Sequence, residues 1–513
     1  MDGPSILPAP RRQEGKQAAA ARGGFYLLVA FLLVVAVGKA VLFDSIDPDA
    51  FWHLKVADVL AQQRFPHPIV DHLSFASVRR PWTPYSWLAE LGMKFLWDRW
   101  QVRGAVAAHA ILSGAIVLFA ILAALEGSTD ADGRRRYLVC CLVGAAAEFL
   151  ALPFVSFRPV TLAMALLSII AWLVQRDRRM REKSRAVWWI VLLTAFTANV
   201  HMFVVFAPML VAAYFLGAWI EKNSASIRRY GLMLGLTAAA SLMSPMLPGM
   251  VTTSLHFATD DVMVHSHIIA ELQPFYKGST GPVAVGFLVA LVGCGLWRRK
   301  SVRPGEWILL AFCLVVLVKL GRFAPMLAIF MGPMLAACAP RMSDKALANR
   351  ALGVAMAVLL LAASVKIVRG FPGPAETTSQ WLERLGPDCP GYPTKACDFV
   401  DRAIVPRTHR LIDEFTWGGY LEWRLGDRYQ VLIDGRTQLY SSNVWNALYL
   451  GTPTQRLQYL RGLSADAAVL PAKDSAFAGD LMQLGWTVVY RDVRAQVLAP
   501  PKTVPGSGFR VPS

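Results

Sequence analysis

The chain has 513 residues, of which 55% are hydrophobic and only 17% are charged, and its mean hydropathy is +0.42. This composition is too apolar for a soluble protein of this length and is typical of a protein that crosses a membrane many times. The formal net charge is +17, but no basic face on a soluble domain accompanies it, so nucleic acid is excluded as a partner.

Long uncharged runs recur along the first two thirds of the chain. Runs of about 17–25 apolar residues are candidates for membrane-spanning helices. We predict eleven of them: 24–43, 104–125, 137–155, 159–175, 187–199, 202–220, 230–247, 282–297, 305–319, 323–339 and 350–368. The first run is long and no small-residue cleavage site follows it, so we interpret it as a span that is retained rather than as a signal peptide.

Lysine and arginine are unevenly distributed between the connections. Alternate segments together carry 23 Lys and Arg against 10 Asp and Glu, or +13 of the formal charge: 1–23, 126–136, 176–186, 221–229, 298–306 and 340–350. Short loops rich in Lys and Arg stay on the cytoplasmic side of a membrane. We therefore predict a cytoplasmic N-terminal segment at 1–23, a polytopic α-helical domain at 24–369 and a tail outside the cytoplasmic membrane.

The first predicted outer loop, residues 44–103, opens with the acidic and aromatic stretch DSIDPDAFWHL. Apolar spacing predicts an interfacial helix that begins near Ala50. Asp favours helix N-termini, and Asp49 directly precedes this helix, so Asp49 is the more expected cap. The ring of Pro48 disfavours a helical conformation at Asp47. Asp47 and Asp49 are the candidate catalytic carboxylates, with a slight preference for Asp47.

Further polar residues interrupt apolar sequence on the same predicted side of the membrane. Polar groups at membrane depth are costly and are usually functional or paired. We take the following as candidate substrate-binding residues: His53, Arg158, Asn199, His201, Glu271 and Arg322. Structural alternatives stay open. Each arginine is also explained as an interfacial side chain that reaches water, His201 as a partner of a backbone carbonyl, and Glu271 as a solvated loop carboxylate.

The tail, residues 370–513, differs in character from the rest of the chain. Short apolar runs such as QVLIDGRT, AAVLP and WTVVYRD are of strand type, and segments between them have helical patterns. This predicts a small extracytoplasmic α/β domain with its own core. Cys389 and Cys397 would lie in an oxidising compartment there, where a disulfide and two thiols are about equally expected. The sequence contains no Walker loop and no metal-type spacing of Cys and His.

Three groups of motif residues carry a family resemblance that covers most of the chain: DPD followed by FWHL, Asn199 with His201, and WGGYL with IDGR in the tail. With them the chain resembles the GT-C superfamily of membrane glycosyltransferases, and more closely some poorly characterised bacterial GT-C-like membrane proteins. The resemblance implies about eleven or more spans, a bacterial cytoplasmic membrane location, an outward-facing active site and a polyprenyl-phosphate-linked sugar donor. We interpret Asp434 and Arg436 of the last motif as an ion pair within a turn.

The candidate residues fit sugar transfer from such a donor. A phosphate leaving group departs without a general acid, so one carboxylate is enough, acting as general base on the acceptor hydroxyl. Arg158 and Arg322 supply planar cations that bind phosphate oxygens in pairs. No further ligand cluster is visible near Asp47 and Asp49, so a bridging divalent metal is less favoured and no cofactor is expected. The acceptor can be a glycan, a lipid or a protein.

Two other classes remain open. A transporter of lipid or glycan would also have many spans and buried charge, but that charge would lie near the membrane midplane between paired halves. A non-catalytic membrane component of envelope polysaccharide assembly would share the spans and the tail, and it would tolerate loss of the two aspartates.

Overall fold

The computed structural model describes residues 10–42, 46–63, 65, 67–77, 81–128, 136–259, 266, 273–319, 321–340, 349–369, 375–389 and 391–501. Thirteen α-helices of these residues precede the tail: α1 (Pro10–Leu42), α2 (Pro48–Ala61), α3 (Trp87–Gly127), α4 (Tyr137–Ala151), α5 (Pro159–Arg179), α6 (Trp189–Thr197), α7 (Phe206–Ile220), α8 (Ser224–Ser241), α9 (Leu247–Thr259), α10 (Gly281–Trp297), α11 (Pro304–Lys319), α12 (Ala324–Cys338) and α13 (Arg350–Arg369).

Six described segments are long and apolar enough to cross a membrane: Ala19–Val41, Trp87–Gly127, Pro159–Arg179, Met202–Ile220, Gly321–Cys338 and Arg350–Arg369. Four more of the predicted runs coincide with shorter apolar helices: Tyr137–Ala151, Ala186–Thr197, Gly281–Trp297 and Pro304–Val318. The run at 230–247 overlaps α8. A helical membrane protein with six candidate spans is thereby confirmed, and the full count of eleven stays a prediction.

Two helices form the centre of the bundle. In α5 and in the segment of α12, 78% of the apolar window is buried, whereas in α13 the figure is 6%. Pro159 occupies the first position of α5, where its fixed φ suits a helix and its missing N–H costs nothing. The start of α5 is therefore sharply defined, and so is the position of Arg158, the residue that directly precedes it.

The connection between α1 and α3, called here the first loop (residues 46–86), contains α2 and two short antiparallel strands, β1 (Ile69–Val70) and β2 (Pro81–Trp82). The sequence predicted a loop that extends to residue 103. Instead α3 begins at Trp87 and bends at Gln101, whose φ of 47° is not helical. The aromatic-rich end of the predicted loop is therefore the first part of a long helix.

The tail contains a five-stranded mixed sheet, which confirms its α/β character. The strands are β3 (Arg410–Asp413), β4 (Gln430–Val431), β5 (Ala467–Pro471), β6 (Thr487–Arg491) and β7 (Ala495–Ala499), in the order β4-β3-β5-β7-β6. Strand β3 runs parallel to both β4 and β5, and the remaining pairs are antiparallel. The helices are α14 (Thr378–Leu385), α15 (Thr394–Ala403), α16 (Gly418–Leu425), α17 (Ser442–Trp445), α18 (Pro453–Arg461) and α19 (Ala476–Gln483).

The tail shares its hydrophobic core with the first loop. Trp52 of α2 lies in one apolar cluster with Ile412 of β3. Phe51, the residue before Trp52 in the same helix, lies in a second cluster. Its ring packs edge-on against Tyr420 of α16, with 5.2 Å between the ring centroids. The first loop also extends the edge of the sheet, because the backbone N–H of Val431 donates to Leu73 O at 3.0 Å. The hydrophobic core of the tail therefore includes residues of the first loop, whereas the sequence predicted a core of its own.

Cys389 and Cys397 are both buried in the tail and are not bonded to each other. Burial raises the pKa of the Cys397 thiol, which makes it unreactive at neutral pH. The sequence left a disulfide and two free thiols open, and in the structure the two cysteines are free thiols.

Candidate active site between the first loop and the tail

Asp47 is the N-cap of α2. Its backbone is extended (φ −50°, ψ 139°), as a residue before proline prefers, and its Oδ1 accepts a hydrogen bond from the Asp49 backbone N–H at 2.9 Å. The expectation that the helix begins near Ala50 with Asp49 as its cap is wrong. Pro48 suits the first helical position, so the helix begins two residues earlier, and Asp49 lies in the first turn, where the helix dipole favours a carboxylate.

Arg158 lies between the two carboxylates. Its Nη1 donates to Asp49 Oδ2 at 2.7 Å and lies 3.5 Å from Asp47 Oδ1. The arginine side chain is 9% exposed, whereas the side chains of Asp47 and Asp49 are 27% and 35% exposed. The carboxylates therefore keep the access that a substrate needs, while the guanidinium is largely buried.

These groups line a cavity of about 270 Å³, the first cavity. Six of the eight predicted site residues line it: Asp47, Asp49, His53, Arg158, His201 and Arg322. They come from four separate segments of the chain, so spacing along the sequence alone does not place them together. The fold brings the first loop, the beginning of α5 and the turns before α7 and α12 to one point.

The tail supplies a wall of the first cavity whose residues were not among the predicted site residues. Phe415 and Thr416 follow β3, and Gly435, Thr437 and Gln438 follow β4. Strands β3 and β4 are parallel neighbours, and ligands of such sheets bind beyond the carboxyl ends of the strands. The signal that could have found these residues is the position of polar turn residues directly after predicted strands. Other lining residues that were missed are Trp52, Tyr85, Ser86 and Gly419.

His201 is a neutral hydrogen-bond donor in the first cavity. Its Nδ1 accepts a hydrogen bond from the Phe203 backbone N–H at 3.2 Å, so in the neutral ring the proton is on Nε2. Burial lowers the pKa of His201 to about 3, and the charges of Arg322 and Arg158 act in the same direction. The ring can thus donate to an anion without carrying charge itself.

His53 is fixed by a contact with Glu90 and is not suited to act as a general base. Its Nδ1 lies 2.9 Å from Glu90 Oε1, and both side chains are buried. Burial, and after it the charge of Arg158, lowers the pKa of His53 well below its ordinary value. A ring that resists protonation to this degree is a poor proton acceptor near neutral pH.

Two glycines let the tail approach α2 closely. A Cβ added to Gly435 would lie 2.2 Å from Asp49 Oδ1 and 2.8 Å from Trp52 Nε1, and one added to Gly419 would lie 2.8 Å from Pro48 O. The Trp52 indole N–H is buried and has no hydrogen-bond partner among the described residues. The tail motifs WGGYL and IDGR and the motif DPD with FWHL therefore meet at the same cavity.

A buried charge cluster lies directly behind Gly435. Arg436 donates to Asp71 at 2.8 Å from Nη1, to Glu422 and Asp434 at 2.5 Å each from Nη2, and to Asp434 at 3.0 Å from Nε. All four side chains are 0% exposed. Burial raises the pKa of Glu422 well above its ordinary value although Arg436 opposes this. The Asp434–Arg436 pair thus belongs to a larger cluster that ties the tail to the first loop.

Of the predicted site residues that the structure describes, only Asn199 lies outside the wall of the first cavity. Asn199 accepts from Trp87 Nε1 at 2.9 Å and donates to Ala195 O at 2.9 Å and Met243 O at 2.8 Å. It thereby joins the beginning of α3 to the ends of α6 and α8, two residues before His201. Glu271 lies outside the described residues.

Within the described ranges, no group of three or more His, Cys, Asp and Glu side chains is arranged to hold a metal ion. The Arg158 guanidinium places a positive charge beside Asp47 and Asp49.

The fold is shared with solved GT-C membrane glycosyltransferases. The crystal structure of ArnT from Cupriavidus metallidurans in the apo state matches with a TM-score of 0.51 and 14% identity, over 93% of this chain and 98% of that one. The oligosaccharyltransferase AglB from Archaeoglobus fulgidus, in complex with an inhibitory peptide and a dolichol-phosphate, matches with a TM-score of 0.51 and 12% identity, over 87% and 69%. No family model matches the sequence, and neither does any curated protein.

Proposed function

We propose that the protein is a glycosyltransferase of GT-C type that moves a sugar from a polyprenyl-phosphate-linked donor to an acceptor outside the bacterial cytoplasmic membrane. The observation that carries the proposal is one cavity in which two carboxylates of the first loop face two arginines from the ends of candidate spans. The fold shared with ArnT and AglB supports it. So does the dolichol-phosphate bound to AglB, which is a lipid phosphate of the same chemical class.

The orientation in this proposal rests on the charge of α5. Arg158 precedes the helix at the first cavity, while Arg176, Arg178 and Arg179 lie in its last turn. The helix has 21 residues, which is roughly 30 Å, so the basic end and the cavity are about one membrane thickness apart. If the basic end is cytoplasmic, the cavity and the tail are outside.

The donor phosphate is expected at Arg322. This arginine lies in the turn Gly321–Phe323, directly before α12, and its charge acts on both His201 and Tyr85. A guanidinium and a neutral imidazole N–H are suitable donors for phosphate oxygens. Because they are held in a largely buried site, they stabilise the charge that the leaving phosphate acquires without having to reorganise.

Asp47 is the proposed general base. Asp49 has Oδ2 bonded to Arg158 and Oδ1 packed against Gly435. Asp47 uses Oδ1 both for the helix cap and for its contact with Arg158, which leaves Oδ2 for a substrate. The preference for Asp47 therefore has a different ground from the one that the sequence offered, because Asp47 itself is the cap.

The proposed reaction is a displacement at the anomeric carbon of the sugar. The acceptor hydroxyl transfers its proton to Asp47 while its oxygen forms a bond to the anomeric carbon of the sugar. The bond between that carbon and the phosphate oxygen breaks, and the phosphate leaves with the electron pair. Arg322 and Arg158 offset the new negative charge, and Asp47 afterwards releases the proton to water.

The proposal is tested with purified full-length protein in nanodiscs, a panel of undecaprenyl-phosphate-linked sugars and acceptors from an envelope extract. Asn is as good a helix cap as Asp, so Asp47→Asn removes the base and keeps the cap. We expect Asp47→Asn to lower turnover by roughly 10²–10⁴-fold with donor binding retained, and Asp49→Asn to lower it less. The reverse order would move the base to Asp49, and a wild type that consumes no lipid-linked sugar would refute the activity.

A further inference from the structure

A second cavity adjoins the first and shares Asp47 with it. This second cavity has a volume of about 190 Å³ and lies between the end of α1, the middle of α3 and the turn from α4 to α5. Its polar wall consists of Lys39, Asp47, His109 and Ser156, and its apolar wall includes Ala40, Ile46, Val106, Phe157 and Leu385. Apart from Asp47, none of these residues takes part in the proposed reaction.

The polar wall has unused hydrogen-bonding capacity. His109 Nε2 and Ser156 Oγ are buried and have no hydrogen-bond partner among the described residues. Buried polar atoms are nearly always paired, so two in one cavity indicate a site for ligand oxygens. The ammonium of Lys39 donates to Val155 O at 2.7 Å and to Leu152 O, which leaves its third proton for a ligand. Its charge interacts with the Asp47 carboxylate and with the second nearby cation, Arg158, so two cations and one carboxylate act at this wall. These groups suit an anionic, oxygen-rich ligand.

The remaining walls are apolar, and part of them belongs to the membrane-spanning helices. Ala40 is near the end of the candidate span of α1, and Val106 lies within that of α3. Ile46 and Phe157 are buried apolar side chains. A ligand that places an anionic group at Lys39 and lies against these walls is an amphiphile, whereas a soluble anion would gain nothing from them.

We propose that the second cavity is the acceptor site and that the acceptor is a lipid with a phosphate-bearing headgroup. This inference rests on the proposed function. Asp47 lines both cavities, whereas Arg322 lines the first. A hydroxyl presented from the second cavity meets the sugar at Asp47, away from the departing phosphate. It gives its proton to Asp47 and bonds the anomeric carbon as the carbon–phosphate oxygen bond breaks with its electrons on the phosphate.

Photocrosslinking tests the site without requiring turnover. The full-length protein in phosphatidylcholine nanodiscs is irradiated with diazirine-bearing phosphatidic acid or with the matching diacylglycerol, and labelled peptides are mapped by mass spectrometry. We expect phosphatidic acid to label peptides that contain Val106 or Ser156 about tenfold more than diacylglycerol does. Lys39→Gln and Ser156→Ala should each reduce that labelling, and Lys366→Gln, at the end of α13, should leave it unchanged.

The other outcomes each overturn the proposal. Equal labelling by the two probes, or full labelling of Lys39→Gln and Ser156→Ala, means ordinary contact with bilayer lipid. Protection by glycerol 3-phosphate at the concentration at which dihexanoyl phosphatidic acid protects means that the cavity binds a soluble phosphate. Protection by an acidic peptide but not by dihexanoyl phosphatidic acid means a protein acceptor.

Kinetics separate this proposal from the proposed function. If sugar transfer occurs, Ser156→Ala should raise the KM for the acceptor severalfold and leave the KM for the donor unchanged. A functioning transferase whose acceptor KM is unaffected by Ser156→Ala and by Lys39→Gln refutes the acceptor site alone. Specific labelling in a protein that transfers no sugar refutes the glycosyltransferase and leaves a phospholipid site.

Discussion

Arg436 of the tail and Asp71 of the first loop form an ion pair of 2.8 Å in which neither side chain is exposed. The two residues are 365 positions apart in the sequence. Forming such a pair contributes little net stability because both charges lose their hydration, but removing one partner leaves the other buried and unpaired. The pair therefore fixes where the tail lies on the first loop, and Gly435, next to Arg436, reaches Asp49 as a result.

Replacement of this arginine should destabilise the whole assembly. Arg436→Met leaves Asp71 and Asp434 without their cation, which is expected to cost about 3–5 kcal/mol in the free energy of unfolding. Arg428 is the control, because its pair with Asp401 is 40% and 55% exposed and Arg428→Met should cost about 0–1 kcal/mol. Denaturant unfolding of both variants in detergent measures the difference, and equal costs would mean that the cluster does not hold the tail.

The sequence predicted the parts of the fold that depend on local patterns. Apolar runs located the helices, and alternating short runs located the tail sheet, because both signals lie within a single element. The cap of α2 was misassigned because apolar periodicity marks where a buried face begins, whereas Pro48 marks where the backbone becomes helical. The eleven spans were drawn from hydropathy, which does not register where turns such as 198–201 shorten a helix.

The candidate site was predictable in its membrane half. Arg158, His201 and Arg322 stood out because charge in apolar sequence is costly, and all three line the first cavity. The tail half was not predictable in the same way, because Gln438 and Gly435 are ordinary turn residues in a soluble sheet. Their position directly after predicted strands marks them as candidates, but that they reach the first cavity follows from long-range contacts that no local pattern reveals.

The buried histidine predicts a particular loss of stability in acid. The pKa of His201 is about 3 in the folded protein and near 6.5 when unfolded, so between these values the unfolded state binds more protons. Stability therefore falls as the pH is lowered through this window, by at most about 1.4 kcal/mol per pH unit. His201→Gln should lose less stability than the wild type between pH 6.5 and pH 4.

Unfolding free energies of the full-length protein at pH 7, 5.5 and 4 measure this difference. His72→Gln is the control, because His72 is exposed and should follow the wild type. If His201→Gln and the wild type lose stability in parallel, His201 is charged in the folded protein and its assignment as a neutral donor is wrong.

The proposed phosphate site predicts that lysine does not replace arginine. Arg322→Lys keeps the charge but loses the planar pair of donors, so the affinity for an undecaprenyl-phosphate-linked sugar should fall by about tenfold. Arg461→Lys, at the exposed end of α18, should bind like the wild type. Calorimetric titration in nanodiscs gives the constants. Donor binding at wild-type strength in both Arg158→Ala and Arg322→Ala would place the phosphate elsewhere.

A single methyl group at Gly435 should disable the site. The added carbon would lie 2.2 Å from Asp49 Oδ1 and 2.8 Å from Trp52 Nε1, both closer than atoms can pack. The turn cannot retreat, because the next residue, Arg436, is held by three buried carboxyl groups. Asp49 must therefore move, and the Asp49–Arg158 pair moves with it. A displacement of this kind is expected to lower kcat on the order of 10²-fold.

The matched control for Gly435→Ala is Gly479→Ala. Gly479 lies inside α19 of the same tail, and a Cβ there meets nothing within 4 Å. In a helix interior alanine is preferred to glycine, so this variant should keep its turnover and gain slightly in stability. Both proteins are compared for kcat, for donor affinity and for thermal unfolding. Gly435→Ala should lose kcat while remaining folded, and turnover near that of Gly479→Ala would show that the tail does not fix the position of Asp49.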